Sequence, residues 1–436
     1  MTHDDNLMTV ERYRERLLGR LGGWPRTETV APALGRVLAS DVVARVDVPR
    51  FANAAMDGFG FAYAGSGDAY AVVGEVPAGT SSDAAVGPGQ AVRIMTGAPV
   101  PPGVDTVVPL EDARTEGDVV RFVRARPGQH VRAAGEDVRR GDVVVRAGTR
   151  LSARHLAACA AVGVAEVMVA VAPRVGVVTT GDELTPAGRP LAHLVAQTPP
   201  LEPSSERLGV PAALSEERSG GGDVVGLGAA GIFDSNGPYL AAAVTQAGGR
   251  VVWASHSGDD ADALRTALDG AVGAGADLVL VSGGVSAGDR DVTRALLAAE
   301  GDGEFVRLAM QPGKPQGYGT WRGVLVVGLP GNPVSTAATF AVFVRPLLET
   351  MLGASSARTS WGVVAQGWRS PAGRRQYIPV SVTPVDDATR AIRPATPGGS
   401  GSHLVASLAS ADALACVPEH VTEVVPGDVL ELVPLV

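Results

Sequence analysis

Only two cysteines occur in the 436 residues, Cys159 and Cys416, and neither belongs to a Cys-x-x-Cys pair. That spacing excludes a disulfide framework and a cysteine zinc site. Both read as small core residues of a reduced, cytoplasmic protein. Aromatics are 4% of the chain, so the cores must rest on Val, Ala and Leu. No stretch offers about 18 uninterrupted apolar residues, so no membrane span is read. The N-terminus carries acidic residues and no apolar run, which argues against a secretory signal. An excess of positive charge is also missing. The net charge of -9 disfavours a nucleic-acid binder dominated by phosphate contacts. The seven histidines form no HxxxH spacing. No Ser-His-Asp order is compelling and no GxxxxGK(S/T) occurs, which argues against a serine hydrolase and a P-loop ATPase.

A chain this long implies several domains. Residues 6–22 read as a helix, with Leu7, Val10, Tyr13, Leu17 and Leu18 on one stripe. Residues 1–50 and 136–172 read as a helical and extended linker domain, with a helix over 151–162 that Ser152 caps. Residues 51–135, rich in Gly, Pro and short Val pairs, read as a small β-domain. Residues 173–353 alternate strands (near 174–180, 250–254, 277–282 and 324–328) with helices (near 237–247, 259–273, 291–299 and 333–350). That alternation predicts a three-layer α/β domain with a mostly parallel sheet. Residues 354–436 read as a second small β-domain. The fold class is therefore multidomain, α/β plus β. Residues 186–230, with PPLEPSSE and RSGGGD, read as a flexible surface insertion.

Within the α/β region one design recurs: apolar strand-like runs stop at loops of Gly, Pro, Ser, Thr and carboxylates. VGVVTT meets Gly181-Asp182-Glu183, GIF meets Asp234-Ser235-Asn236, and LVLVS meets Gly283-Gly284-Val285-Ser286. VLVVG meets Leu329-Pro330-Gly331-Asn332-Pro333, and Pro312-Gly313-Lys314-Pro315 forms a further loop. Loops after the strand ends of an open α/β sheet gather into one crevice. Glycine lets backbone N–H groups approach phosphate, and helix N-termini add positive dipole ends. Carboxylates in the same loops repel a bare polyanion, so the combination points to a phosphorylated ligand held with a divalent cation.

Asp182, Glu183, Asp234, Asp289 and Asp291 are the candidate metal-side carboxylates; helix capping is the competing role for Asp182, Asp234 and Asp291. Lys314, between Gly313 and Pro315, is a candidate phosphate or oxyanion contact, with Arg307 assisting. Asp57 in an Asp-Gly turn and Thr96 in a Thr-Gly-Ala-Pro loop are weaker signals, since each could be a simple turn. Of the adjacent Glu136 and Asp137, at most one can face a shared site.

In this order, RFANAAMDGFGF, VRIMTGAPVPPGVDTVV, RAAGEDVRRGD, VVTTGDEL, IFDSN, LVSGGVSAGDRD, PGKPQGYG, GLPGNPVS and GSHLVASLA resemble the molybdopterin molybdenumtransferase family, the MoeA type similar to the E domain of gephyrin. The resemblance covers nearly the whole chain. It implies an elongated, four-domain homodimer whose α/β domain binds molybdopterin. The implied substrates are adenylyl-molybdopterin and molybdate, the product beside the molybdenum cofactor is AMP, and the metal is Mg²⁺. By this resemblance Asp57, Thr96, Asp137, Glu183, Asp234 and Asp291 fall in the catalytic cleft, with Glu183 and Asp234 toward the metal. Arg307, Lys314, Pro330, Pro333, Ser402, Gly283, Gly284 and Ser286 fall on the substrate side. Molybdopterin adenylyltransferase and apo-molybdoenzymes are the implied protein partners; nucleic acid and membrane are not.

Two departures stand out: Gln311 occupies a position where some relatives have Lys, and the link between TGDEL and DSN is expanded to residues 185–231. Two other functions compete with molybdenum insertion. One is adenylylation of molybdopterin, because the adenylyltransferase has a similar α/β domain; the other is a non-catalytic carrier or scaffold.

Overall fold

The computed structural model describes residues 7–63, 69–80, 85–185, 231–285, 291–355, 359–386, 389–395, 401 and 404–435. The insertion read at 186–230 lies outside them. The chain divides into two compact units, Thr29–Val169 and Met1–Glu28 with Ala170–Val436.

Helix α1 (Val10–Leu18) is capped by Thr9, whose side chain accepts from the Arg12 N–H. It is shorter than the 6–22 stripe. Val10, Tyr13 and Leu17 are buried in the core of the second unit. The Tyr13 ring stands edge-on to Phe343 at 4.9 Å. The helix therefore packs with the α/β domain, because its apolar face finds that large core.

In the unit Thr29–Val169, β1 (Gly58–Phe61), β2 (Tyr70–Val76), β3 (Gln90–Ile94), β4 (Thr106–Pro109), β5 (Ala113–Glu116) and β6 (Val119–Phe122) form one sheet in the order β4-β1-β3-β2-β6-β5. Phe61 stacks on Phe122 at 4.4 Å and contacts Tyr70 at 4.6 Å, so an aromatic cluster anchors this sheet. Helix α2 (Ala153–Ala161) starts at Ser152 in a capping box with His155. Its Cys159 is fully buried beside Leu38, Val42, Leu151 and Val169.

The second unit holds the three-layer domain. Strands β7 (Arg174–Thr179), β8 (Arg250–His256), β9 (Leu278–Ser282), β10 (Glu304–Arg307), β11 (Pro315–Trp321) and β12 (Val324–Leu329) run in the order β8-β7-β9-β12-β11-β10. The first four are parallel; β11 and β10 are antiparallel additions at one edge. Every residue of β9 is buried, as a strand covered on both faces requires. Val175 and Val177 face a core with α3 (Asn236–Gln246). Val178, Val279 and Val281 face the opposite core, with α4 (Ala261–Gly273) and α5 (Val292–Glu300).

The structure departs from the sequence reading in two places. Ile232–Phe233 is exposed and pairs only with Leu184–Thr185, outside the main sheet. Pro315–Trp321 is a strand that the alternation did not place; Gly317 and Gly319 leave room in it for Phe305 and Gly303 to lie against them. The helical stretch from 333 is α6 (Pro333–Thr339), one wide π-helical turn at Phe340–Val344 and α7 (Arg345–Met351). All five residues of the π turn are buried.

Near the C-terminus, β13 (Ser360–Val364), β14 (Arg375–Pro384), β15 (Arg390–Pro394), β16 (Ala413–Val417) and β17 (Val429–Pro434) pair in the order β14-β15-β13-β17-β16. β14 also pairs with β16, which closes the sheet into a barrel. Met310–Gln311 adds to its edge beside Arg375–Gln376. Cys416 sits in this barrel, where burial pushes its thiol up to about 11; a thiol so protonated is unreactive.

Candidate functional site

The loops beyond β7, β9 and β12, together with Asp234–Asn236, line a crevice of about 700 Å³. Gly283 and Gly284 carry φ values of +110° and +65°. A Cβ on Gly283 would lie 2.7 Å from the Thr180 carbonyl, and one on Gly284 would lie 2.9 Å from the Thr293 nitrogen. Only glycine lets this loop turn between β7 and the start of α5. Pro330 and Pro333 also line the crevice, with Pro333 at the first turn of α6.

The floor is a buried hydrogen-bond network. Asp234 is 4% exposed. Its Oδ1 accepts from the N–H groups of Asn236 and Gly237, both at 3.0 Å. Its Oδ2 accepts from Thr179 Oγ1 at 2.9 Å. Capping is therefore a large part of what Asp234 does. Asn236 Nδ2 donates to Ser282 Oγ at 2.9 Å and to the Gly331 carbonyl at 2.6 Å, tying three loops together. The Thr180 hydroxyl is buried and has no partner among the described residues. Sequence reasoning passed over Thr180, Asn236, Ser282 and Asn332. Their signal was present in TTGDEL, IFDSN and PGNP, where attention went to charged residues.

Glu183 is exposed at the crevice. Its carboxylate folds back over Gly181, where an added Cβ would be 2.8 Å from either oxygen. Asp182 is different. Its Oδ1 accepts from the Asp259 N–H at 3.0 Å, and the Asp182 N–H donates to Asp259 Oδ2 at 3.4 Å. This reciprocal clasp joins two loops and explains Asp182 without a metal. Asp291 lines the crevice at the start of α5. Asp289, Ser286 and Ser402 lie outside the described residues. Among the described residues no three metal-type side chains are grouped as a preformed site.

Lys314 and Arg307 do not line the crevice; both border a neighbouring cavity. Lys314 also borders a third, of about 440 Å³, with Gln311, Ser335 and Arg374. Arg374 donates to Gln311 Oε1 at 3.3 Å. A guanidinium thus stands beside the Gln311 amide.

Asp57 and Thr96 belong to the unit Thr29–Val169. Both are exposed and they bond each other: Asp57 Oδ1 accepts from the Thr96 N–H at 2.6 Å and from its hydroxyl at 2.7 Å. The Thr96 N–H, then its hydroxyl, with Arg93 adding less, hold the Asp57 carboxyl below its ordinary 3.8. Its charge persists to lower pH than in the unfolded chain. The pair therefore stabilises the fold at neutral pH, and this contribution is lost as pH falls through the lowered titration point. In Thr96→Val the N–H remains and the hydroxyl is gone, so the Asp57 midpoint should rise part of the way toward 3.8 in a carboxyl NMR titration. No rise would mean that the hydroxyl does not bond the carboxylate. Asp137 is exposed with no side-chain bond to this pair among the described residues; Glu136 instead accepts from the Ala133 N–H at 2.9 Å.

A parallel α/β sheet with a Gly- and Pro-walled crevice at its strand ends is a nucleotide- or cofactor-binding architecture. Residues 8–163 match the family model "MoeA N-terminal region (domain I and II)", residues 176–350 match "Probable molybdopterin binding domain", and residues 362–435 match "MoeA C-terminal region (domain IV)". Molybdopterin molybdenumtransferase 2 of Mycobacterium tuberculosis is 36% identical over 94% of both chains. Molybdopterin molybdenumtransferase 1 of the same organism is 32% identical over 94% of both. The crystal structure of the molybdopterin biosynthesis MoeA protein from Pyrococcus horikosii is 28% identical, covers 99% of each chain and has a TM-score of 0.74. The chain belongs to the MoeA-type molybdopterin molybdenumtransferase family.

Proposed function

We infer that this protein is a transferase of molybdenum cofactor biosynthesis that inserts molybdenum into molybdopterin. The observation that carries this is the strand-end crevice, in a chain that aligns with named molybdopterin molybdenumtransferases over 94% of its length. The substrate form we propose is adenylyl-molybdopterin, with molybdate as the second substrate and AMP as the leaving product. The Gly284 N–H and the Thr180 hydroxyl are suited to phosphate oxygens, because glycine lets the backbone approach closely and the Thr180 hydroxyl is unused among the described residues; the Gly283 N–H already donates to the Leu329 carbonyl at 3.0 Å. Lys314, with Arg374 across the adjoining cavity, suits a tetrahedral dianion. Holding both reactants in one orientation supplies much of the rate.

Mg²⁺ suits the donor set. It needs one or two protein carboxylates, takes the rest of its shell from water and substrate phosphate, and therefore needs no cluster of three. Glu183 and Asp291 would hold it, with Asp234 offering what its capping bonds leave. When bound, Mg²⁺ neutralises phosphoanhydride charge. We also propose a cytoplasmic homodimer. No helix among the described residues is long and apolar enough to cross a membrane. Light scattering at twice the 44.3 kDa chain mass would support the dimer; a monomer would remove it.

Purified protein with adenylyl-molybdopterin, molybdate and Mg²⁺ should release AMP and reconstitute an apo-molybdoenzyme, and EDTA should stop both. Formation of pyrophosphate from ATP and molybdopterin would assign the adenylyltransferase reaction instead. Turnover unaffected by chelation would remove the metal.

A further inference from the structure

Next to the crevice lies a second cavity of about 820 Å³, sharing Val285 and Pro315 with it. Its charged lining is of one sign. Arg12 and Arg16 come from α1, Arg294 from α5, Arg307 from the end of β10, and Lys314 from the following loop. No carboxylate among the described residues lines it. Arg16 is paired with Glu304, and Arg294 lies over the Phe305 ring at 5.6 Å. The Arg12 and Arg307 guanidinium groups make no hydrogen bond or ion pair among the described residues.

In a chain of net charge -9, convergence of five cations from four segments has to be explained. Their mutual repulsion opposes folding, and an anion in the cavity would relieve it. The cations sit on a helix face, a second helix, a strand end and a loop, so the fold itself brings them together; they are not a run in the sequence. The cavity's volume falls in the range of small-molecule sites.

We propose that this cavity is a second anion site, built for a doubly charged tetrahedral oxygen anion, either free as an inorganic oxyanion or carried as the phosphate of a nucleotide. Lys314 borders both this cavity and the smaller one shared with Gln311 and Arg374. An anion held here is one side chain away from the place assigned above to molybdate, which makes the cavity a loading station for the reaction. That role rests on the proposed function; the binding itself rests on charge and shape alone.

The test uses full-length protein at low ionic strength and titrates molybdate, sulfate and AMP separately by calorimetry. The double variant Arg12→Gln, Arg294→Gln removes two exposed cations that belong to neither the crevice nor the Lys314–Arg374 pair. Its affinity for the bound anion should fall roughly tenfold, the loss expected for charge-assisted contacts. Its melting temperature should not fall below that of the parent, because two mutually repelling charges are gone. Loss for molybdate and sulfate with AMP unchanged identifies a free oxyanion site; loss for AMP alone identifies a nucleotide-phosphate site. Unchanged affinity for all three overturns the proposal. Should the double variant fold poorly, the single Arg12→Glu reversal, at an exposed helix position, is read the same way. Absence of molybdenum insertion with the sulfate result intact would overturn the proposed function and leave the site standing.

Discussion

Glu183→Gln should melt with the parent and release AMP about a hundredfold more slowly or worse. Stability should hold because the carboxylate is exposed and makes no hydrogen bond or ion pair among the described residues. Losing one charged group aimed at developing charge typically costs a few kcal/mol of transition-state stabilisation, roughly two or more factors of ten. The amide keeps shape and loses charge, so a folded variant with near-parent turnover takes Glu183 out of the chemistry.

Asp234→Ala should do something different: it should damage the fold. Alanine leaves the Asn236 and Gly237 N–H groups without their acceptor in a buried place. Each orphaned donor costs about 1–3 kcal/mol unless water enters. A net loss of about 3 kcal/mol would lower the melting temperature by roughly 6–12 °C. Asp234→Asn separates capping from charge. Its remaining oxygen can still accept from both N–H groups, and Thr179 can turn its hydroxyl to His256 Nδ1 at 3.2 Å. The asparagine variant should therefore melt close to the parent yet turn over slowly. Full activity in that variant would leave Asp234 with capping as its whole role.

The chain announced its architecture through local signals. Val175–Thr179 and Leu278–Ser282 are apolar runs too short for helices, and the Gly-rich loops after them could only be strand ends at a crevice. Ser152 and the stripe Val10, Tyr13 and Leu17 marked two helices. Local signals could not tell where α1 would pack, since an apolar face fits any sufficiently large core. They also misjudged Ile232–Phe233, where two apolar residues before a turn imitate a sheet strand. At the site, charge attracted attention and neutral polar groups did not. Asn236 joins three loops through contacts 46 and 95 residues away, and no pattern along the chain encodes such a distance. Asp182 and Glu183, adjacent in sequence, part company for the same reason: only the folded loop puts Asp259 beside the first.

The π turn at Phe340–Val344 has the character of a phase adjuster. An α-helix advances about 100° per residue, so one extra residue in a wide turn rotates everything upstream against everything downstream. Downstream, Leu347, Leu348 and Met351 are locked in the core. Upstream, the same helix begins at the Pro330–Pro333 wall of the crevice. The wall's heading is thus a setting fixed by a buried segment a full turn or more away. Deleting one residue of Phe340–Val344 would swing that wall while leaving every residue that touches substrate in place in the sequence.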